Sequence, residues 1–217
     1  MDAYNIPSFS NECILETRKI LGQCDAPNSS KIETVSYSDN VIEFLLPPGQ
    51  GKNNNISIVV EGDVLSNSKT FDYDPPQVTR LSVSSGPSHG NTLVEITGTN
   101  FGDKQTVQFG EYNCVIKSST HDELICLTTG GEGKMLPVTV NAGGQKSNGS
   151  DITFSYEKPI LNSVTPNHGL TRGNYSVVIN GSNFGLNAMV YIGGRPCAVV
   201  SHTHSIVRCI VPSGEGI

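Results

Sequence analysis

Gly98-Thr-Asn-Phe-Gly102 returns as Gly181-Ser-Asn-Phe-Gly185, an offset of 83 residues from Gly98 to Gly181. Working outward, Cys114 falls on Cys197 and Cys126 on Cys209 at that same offset. Gly131-Glu-Gly133 falls on Gly214-Glu-Gly216, and the lead-in at Pro76 falls on Pro159. Self-similarity at a fixed period marks a chain assembled from repeated structural units. No gap is needed between these landmarks, so the two copies share one fold.

A third, more divergent copy precedes them. Its tail, Phe71-Asp-Tyr73-Asp-Pro-Pro76, matches Phe154-Ser-Tyr156-Glu-Lys-Pro159. Pro48-Gly-Gln-Gly51 aligns with Gly130-Gly-Glu-Gly133 at an offset of 82. That register places Phe44 on Cys126 and Ile32 on Cys114, so an apolar pair stands in for a cysteine pair. The repeat thus divides the chain into a divergent module at 1–75, a second at 76–157 and a third at 158–217. The third is expected to lack its C-terminal strands, because it stops just after its Gly-Glu-Gly turn.

Each copy reads as strands. Val94-Glu-Ile96, Val107-Gln-Phe109 and Val138-Thr-Val140 alternate apolar and polar residues, as half-buried strands do. Val177-Val-Ile179, Val190-Tyr-Ile192 and Ile56-Ser-Ile58 continue the pattern in the other copies. Gly and Pro clusters punctuate them, and no segment carries a helical period. The expected fold class is all-β, a tandem array of immunoglobulin-like β-sandwiches of about 80–100 residues each. Pro75-Pro76 and Pro159 stop the last strand of one module and stiffen a very short linker, which predicts a semi-rigid rod.

The totals exclude several function classes. A net charge of -6 supplies no basic face for nucleic acid or for an anionic membrane surface. No apolar run approaches the length that crosses a bilayer, and Met1-Asp-Ala-Tyr4 has no basic start ahead of an apolar run. No Gly-Lys-Ser/Thr phosphate loop, nucleophile elbow or paired-carboxylate site is visible. No enzyme activity, cofactor or metal is therefore expected.

Ile179-Asn-Gly-Ser-Asn-Phe-Gly185, the Cys197 and Cys209 pair, Pro212-Ser-Gly-Glu-Gly216 and the Phe-x-Tyr-x-x-Pro tail together resemble the TIG/IPT family. The resemblance is strong over 76–217, moderate over 32–75 and poor over 1–31. The cysteine-bearing form is similar to the repeats of plexins, fibrocystin-like proteins and protist surface adhesion proteins. It implies an immunoglobulin-like sandwich in a cell-surface recognition or structural protein.

Six cysteines permit many pairings. The recurrence of Cys114 with Cys126 and of Cys197 with Cys209 favours bonding within each copy, leaving Cys13 to pair with Cys24. A metal reading has no C-x-x-C ligand pair behind it. Five Asn-x-Ser/Thr triplets, at Asn28, Asn55, Asn148, Asn174 and Asn180, are candidate N-linked glycan sites. Together with the cysteines they point to an extracellular or cell-surface location. His89 and His168 read as near-equivalent turn residues, and His202-Thr-His204 as two imidazoles on one strand face.

The expected function is an extracellular structural or adhesive glycoprotein whose partners are proteins, including other copies of itself. In its filament form, residues 1–31, with Ile14-Leu15 and Ile20-Leu21 as anchors, complete the open third module of the next chain. The alternative is the ligand-binding ectodomain of a receptor. An accessory carbohydrate-binding module is a third reading, for which no row of exposed aromatics is visible.

Overall fold

The computed structural model describes residues 12–16, 33–38, 40–60, 63–64, 69–147 and 151–215. Every regular element among them is a strand. The first copy contributes β1 (Glu12–Glu16), β2 (Glu33–Tyr37), β3 (Ile42–Leu45), β4 (Asn54–Val60), β5 (Asp63–Val64) and β6 (Lys69–Phe71). The second contributes β7 (Gln77–Leu81), β8 (Ser85–Gly86), β9 (Leu93–Thr99), β10 (Gln105–Phe109), β11 (Tyr112–Ser119), β12 (Glu123–Thr128), β13 (Leu136–Ala142), β14 (Gln145–Lys146) and β15 (Thr153–Tyr156). The third contributes β16 (Ile160–Thr165), β17 (Ser176–Ser182), β18 (Val190–Ile192), β19 (Arg195–His202) and β20 (Ile206–Ile210). The architecture is the tandem immunoglobulin-like β-sandwich expected from the repeat.

The second copy shows how the pattern becomes a sandwich. Its strands run β7-β9-β12-β11-β10-β13-β15-β8 in hydrogen-bonded order, and β14 adds to β13. The β10–β11 hairpin joins the two faces through Val107 opposite Cys114 and Phe109 opposite Tyr112. Alternate residues of β9, β12 and β13 are buried, because successive side chains of a strand point to opposite faces. Those inward positions form one core: Val94, Ile96, Leu124, Val138 and Val140, closed by Phe101, Phe109 and Phe154. Phe109 stacks on Phe154 with ring centroids 4.7 Å apart. Burying an aromatic side chain of this size is worth about 3–5 kcal/mol against its truncation to alanine.

The third copy repeats the first five strands of that path as β16-β17-β20-β19-β18. Even the irregularities recur. The register slips between Val78 and Arg80 and again between Leu161 and Ser163. It slips between Ile116 and Ser118, between Val199 and Ser201, and in the first copy between Thr34 and Ser36. A bulge displaces one residue and bends its strand, so its recurrence means that the backbone path itself is repeated. In the first copy β2 and β3 keep the β11–β12 register, with Phe44 half-buried, while Ile32 lies outside the described residues. Among the described residues the second copy has no equivalent of one pairing in the first: β1 runs parallel to β4, with Ile14 opposite Ser57 and Leu15 opposite Ile58.

Candidate functional site at the module junctions

The first two copies each end on a tyrosine that folds back onto the glycine-rich turn. Tyr156 donates its hydroxyl to the Thr129 carbonyl at 2.8 Å, and Tyr73 donates to the Pro47 carbonyl at 2.8 Å. The backbone closes the same loop twice, through Tyr156 N to Gly133 O and Tyr73 N to Gly51 O. A Cβ on Gly131 would collide with the Tyr156 ring, and one on Gly49 with the Tyr73 ring, so the hydroxyl end of each ring packs against a side-chain-free backbone. Burial, and then the Tyr112 phenol, push the Tyr156 hydroxyl up to about 12.

The residue between the last two glycines of that turn reaches into the next module. Gln50 Oε1 accepts from the backbone N–H of Asp103 at 2.8 Å and of Lys104 at 3.0 Å, while its Nε2 donates to the Lys104 carbonyl. At the second junction Glu132 Oε2 accepts from Leu186 N at 2.8 Å and Asn187 N at 3.2 Å, and Oε1 accepts from Asn187 Nδ2 at 3.1 Å. Those backbone donors hold the Glu132 carboxyl below the usual carboxylate range. Gly102 and Gly185, with φ of +68° and +72°, immediately precede the gripped amides. A Cβ at either position would strike the Gln50 or Glu132 side chain, so glycine is required both for the backbone angle and for the approach.

A second contact is also duplicated. Asn100 Nδ2 donates to the Pro75 carbonyl and Asn183 Nδ2 to the Lys158 carbonyl, tying the turn of each later module to the linker that precedes it. Asn183 Nδ2 also donates to Glu157 Oε2 at 2.9 Å. Gln145 Nε2 donates to the Tyr73 carbonyl at 2.8 Å across the first junction. At the second, Ser88 lies between modules: its backbone N donates to Asn183 Oδ1, Gly185 N donates to its Oγ, and Oγ bonds His204 Nδ1 at 3.0 Å.

The residues singled out in the sequence fall elsewhere. Disulfides join Cys114 to Cys126 and Cys197 to Cys209, each with Cα atoms 5.6 Å apart across two neighbouring strands. All four sulfurs belong to residues buried in the cores. Cys13 lies on β1, and Cys24 lies outside the described residues. Asn55 is exposed on β4, and Asn174 is exposed in a turn at φ +62°. Asn180 is half-buried on β17, its amide donating to Ser163 Oγ. Asn28 and Asn148 lie outside the described residues.

Two sequence readings are corrected. His202 ends β19, but His204 lies in the following turn, so the two imidazoles do not share a strand face. Gly90 corresponds to Gly173 rather than Gly169: both have positive φ, and the Asn that follows each donates its N–H to the end of the cysteine strand. His89 is therefore the counterpart of Arg172, and His168 is unrelated to it. Among the described residues no cluster of three or more His, Cys, Asp or Glu is arranged to hold a metal ion. No helix there is long and apolar enough to cross a membrane.

The IPT/TIG domain profile matches residues 76–156 and 159–216. The chain belongs to the IPT/TIG domain family. It is similar to human fibrocystin-L, at 26% identity over 143 residues, which is 63% of this chain and 3% of that protein. Among solved structures it is similar to the plexin A4 extracellular region spanning domains 1 to 10. That match has a TM-score of 0.40 and 21% identity, and covers 91% of this chain and 18% of the plexin chain. SGBP-B, from a complex xyloglucan utilization locus in Bacteroides uniformis, matches at a TM-score of 0.30 and 19% identity over 65% of this chain and 44% of its own. The chain spans only a small fraction of fibrocystin-L and of plexin A4.

The Gln50 and Glu132 clamps were not found in the sequence, although a signal was present. Gln50, Glu132 and Glu215 occupy one position of the repeat, each between two glycines, and each carries a side-chain carbonyl or carboxylate oxygen. A hydrogen-bond acceptor held between two glycines in all three copies is the sequence trace of the contact that Gln50 and Glu132 make.

Proposed function

We propose that this chain is a segment of an extracellular, cell-surface glycoprotein in which three IPT/TIG modules, at 1–75, 76–157 and 158–217, form a semi-rigid rod that spaces and presents a protein-binding surface. The observation that carries this reading is the recurrence of one clamp at two successive junctions, Gln50 on Asp103 and Lys104, then Glu132 on Leu186 and Asn187. A contact that fixes each module's angle to the next is what a spacer requires. The buried disulfides and the exposed sequons Asn55 and Asn174 support an oxidising, glycosylating compartment. Fibrocystin-L and the plexin extracellular region, as relatives, support a receptor-like ectodomain with protein partners and no catalysis of its own.

The test is class-averaged electron microscopy of the secreted, glycosylated chain, with glycan mapping before and after deglycosylation. One dominant angle at each junction, with glycan on Asn55 and Asn174, is expected. A broad spread of angles would overturn the spacer reading, and a cytosolic, reduced, unglycosylated product would overturn the extracellular one.

Strand exchange between copies is the finer form of the proposal. In the second module β10 is flanked by β11 and β13, whereas β18 pairs only with β19 among the described residues. The β1 stretch, expected as donor, lies along its own β4, so exchange has to release it first. Sedimentation velocity over a wide concentration range separates the forms: open-ended growth favours exchange, and one monomeric boundary eliminates it.

A further inference from the structure

The two junctions share a clamp but differ in charge. The first is held by a neutral amide, Gln50, and the second by a carboxylate, Glu132. The second also gathers imidazoles from both modules. His204, from the third module, bonds Ser88 of the second, and its ring faces His89 of the second with centroids 6.5 Å apart. His202 approaches from the end of β19 with its Nε2 buried and without a hydrogen-bond partner. The His204 ring also lies against Gly130, where a Cβ would come within 3.2 Å of its Nε2.

We propose that the second junction is an acid-sensitive hinge, closed while His204 is neutral and opened as His204 takes up a proton. Histidine is the side chain whose ordinary range lies between neutrality and mild acidity. Ser88 Oγ accepts from Gly185 N and bonds His204 Nδ1; with the neutral ring's proton on Nε2, the hydroxyl hydrogen points at Nδ1. Protonation makes Nδ1 a donor and forces that hydroxyl to turn its hydrogen away. It also places a cation in a half-buried site, with the His89 ring 6.5 Å away.

Burial first, then His89 and His202, push His204 below the ordinary imidazole value, while Glu132 pulls it back up. These are the charges that act on it among the described residues. The closed junction therefore binds the proton less well than the open one, and closure weakens as pH falls below about 6.5. The Glu132 carboxyl, held low, stays ionised through that window. At the first junction the corresponding histidine, His121, lies 3.7 Å from Asp103, so a proton there meets a carboxylate. The first junction is thus the internal control. This inference does not depend on where the protein resides.

Hydrogen exchange of the whole chain, corrected for the intrinsic pH dependence of amide exchange, tests it at about pH 7.5 and about pH 5.5. Peptides covering Leu186 and Asn187 should lose protection in acid, by up to about tenfold for each pK unit by which closure lowers His204. Peptides covering Asp103 and Lys104 should not. His204→Asn keeps a polar atom facing Ser88 but cannot titrate, and should hold the second junction closed at both values. Glu132→Gln should keep the acid response, because the His204 imidazole and not the carboxylate drives it. Unchanged protection of Leu186 in the natural chain, equal loss at both junctions, or loss of the response in Glu132→Gln would each overturn the hinge. Should His204→Asn leave the junction open at both values, the Glu132→Gln response decides.

Discussion

Gly185 is a glycine because Glu132, a residue of the preceding module, occupies the place where its Cβ would be. The same relationship joins Gly102 to Gln50 one repeat earlier. The glycine of the recurring Asn-Phe-Gly turn is thereby explained by a partner more than fifty residues away.

Gly185→Ala should open the second junction while leaving both cores intact. The added methyl meets the clamp and also strains a backbone at φ +72°, together costing about 1–3 kcal/mol. Gly144→Ala is the control, since its φ is +79° but nothing lies within 4 Å of a Cβ there. Scattering profiles of the two variants should differ: a broadened inter-module distance for Gly185→Ala and an unchanged one for Gly144→Ala.

Removing a disulfide should be felt within its own module. Replacing Cys114 and Cys126 together by serine frees a cross-link with a sequence separation of 12, worth about 2.5–3 kcal/mol in the chain-entropy account. It also leaves two hydroxyls in a core, which adds to the loss. Urea unfolding should show a lower midpoint for that module's transition, with the third module's transition unmoved.

Tyr156→Phe should cost about 1 kcal/mol through the Thr129 carbonyl it leaves unpaired. The sign of the pH effect follows from the raised value of about 12. The folded chain holds that proton more tightly than the unfolded chain does. The phenol's contribution is therefore whole below about pH 10 and is lost as pH rises through the folded value. Spectrophotometric titration should show one tyrosine ionising late in the natural chain and none so late in Tyr156→Phe.

Glu132→Gln should turn the second clamp into the chemistry of the first. The acceptor geometry survives, but the charge-assisted bonds to Leu186 and Asn187 weaken. Because the carboxyl is held below its ordinary range, its contribution is present above about pH 4.5 and lost as pH falls through the folded value. Leu186 protection, corrected for the intrinsic pH dependence of amide exchange, should fall from about pH 5 to about pH 3 in the natural chain and stay flat in the variant.

Much of this protein could be read directly from residue order. Alternation along Val94-Glu-Ile96 or Val138-Thr-Val140 states which side chains face inward, because a strand's period of two is a property of the local backbone. The 83-residue offset carried that reading from one module to the next, including the positions of Cys114, Cys126, Cys197 and Cys209. The closing tyrosines Tyr73 and Tyr156 were visible as markers, though not as hydrogen-bond donors to Pro47 and Thr129.

Tertiary structure alone decided what lies between the modules. Ser88 and His204 are 116 residues apart, and Gln50 and Lys104 are 54 apart, and no local period links either pair. Such contacts depend on how two separately folded bodies are turned relative to each other across a short proline-bearing linker. The parallel pairing of β1 with β4, the bulges and the shift of His204 from strand to turn belong to the same class. Local pattern determines which face of a strand is buried. The neighbour against which it is buried depends on chain paths that meet only once the whole array has folded.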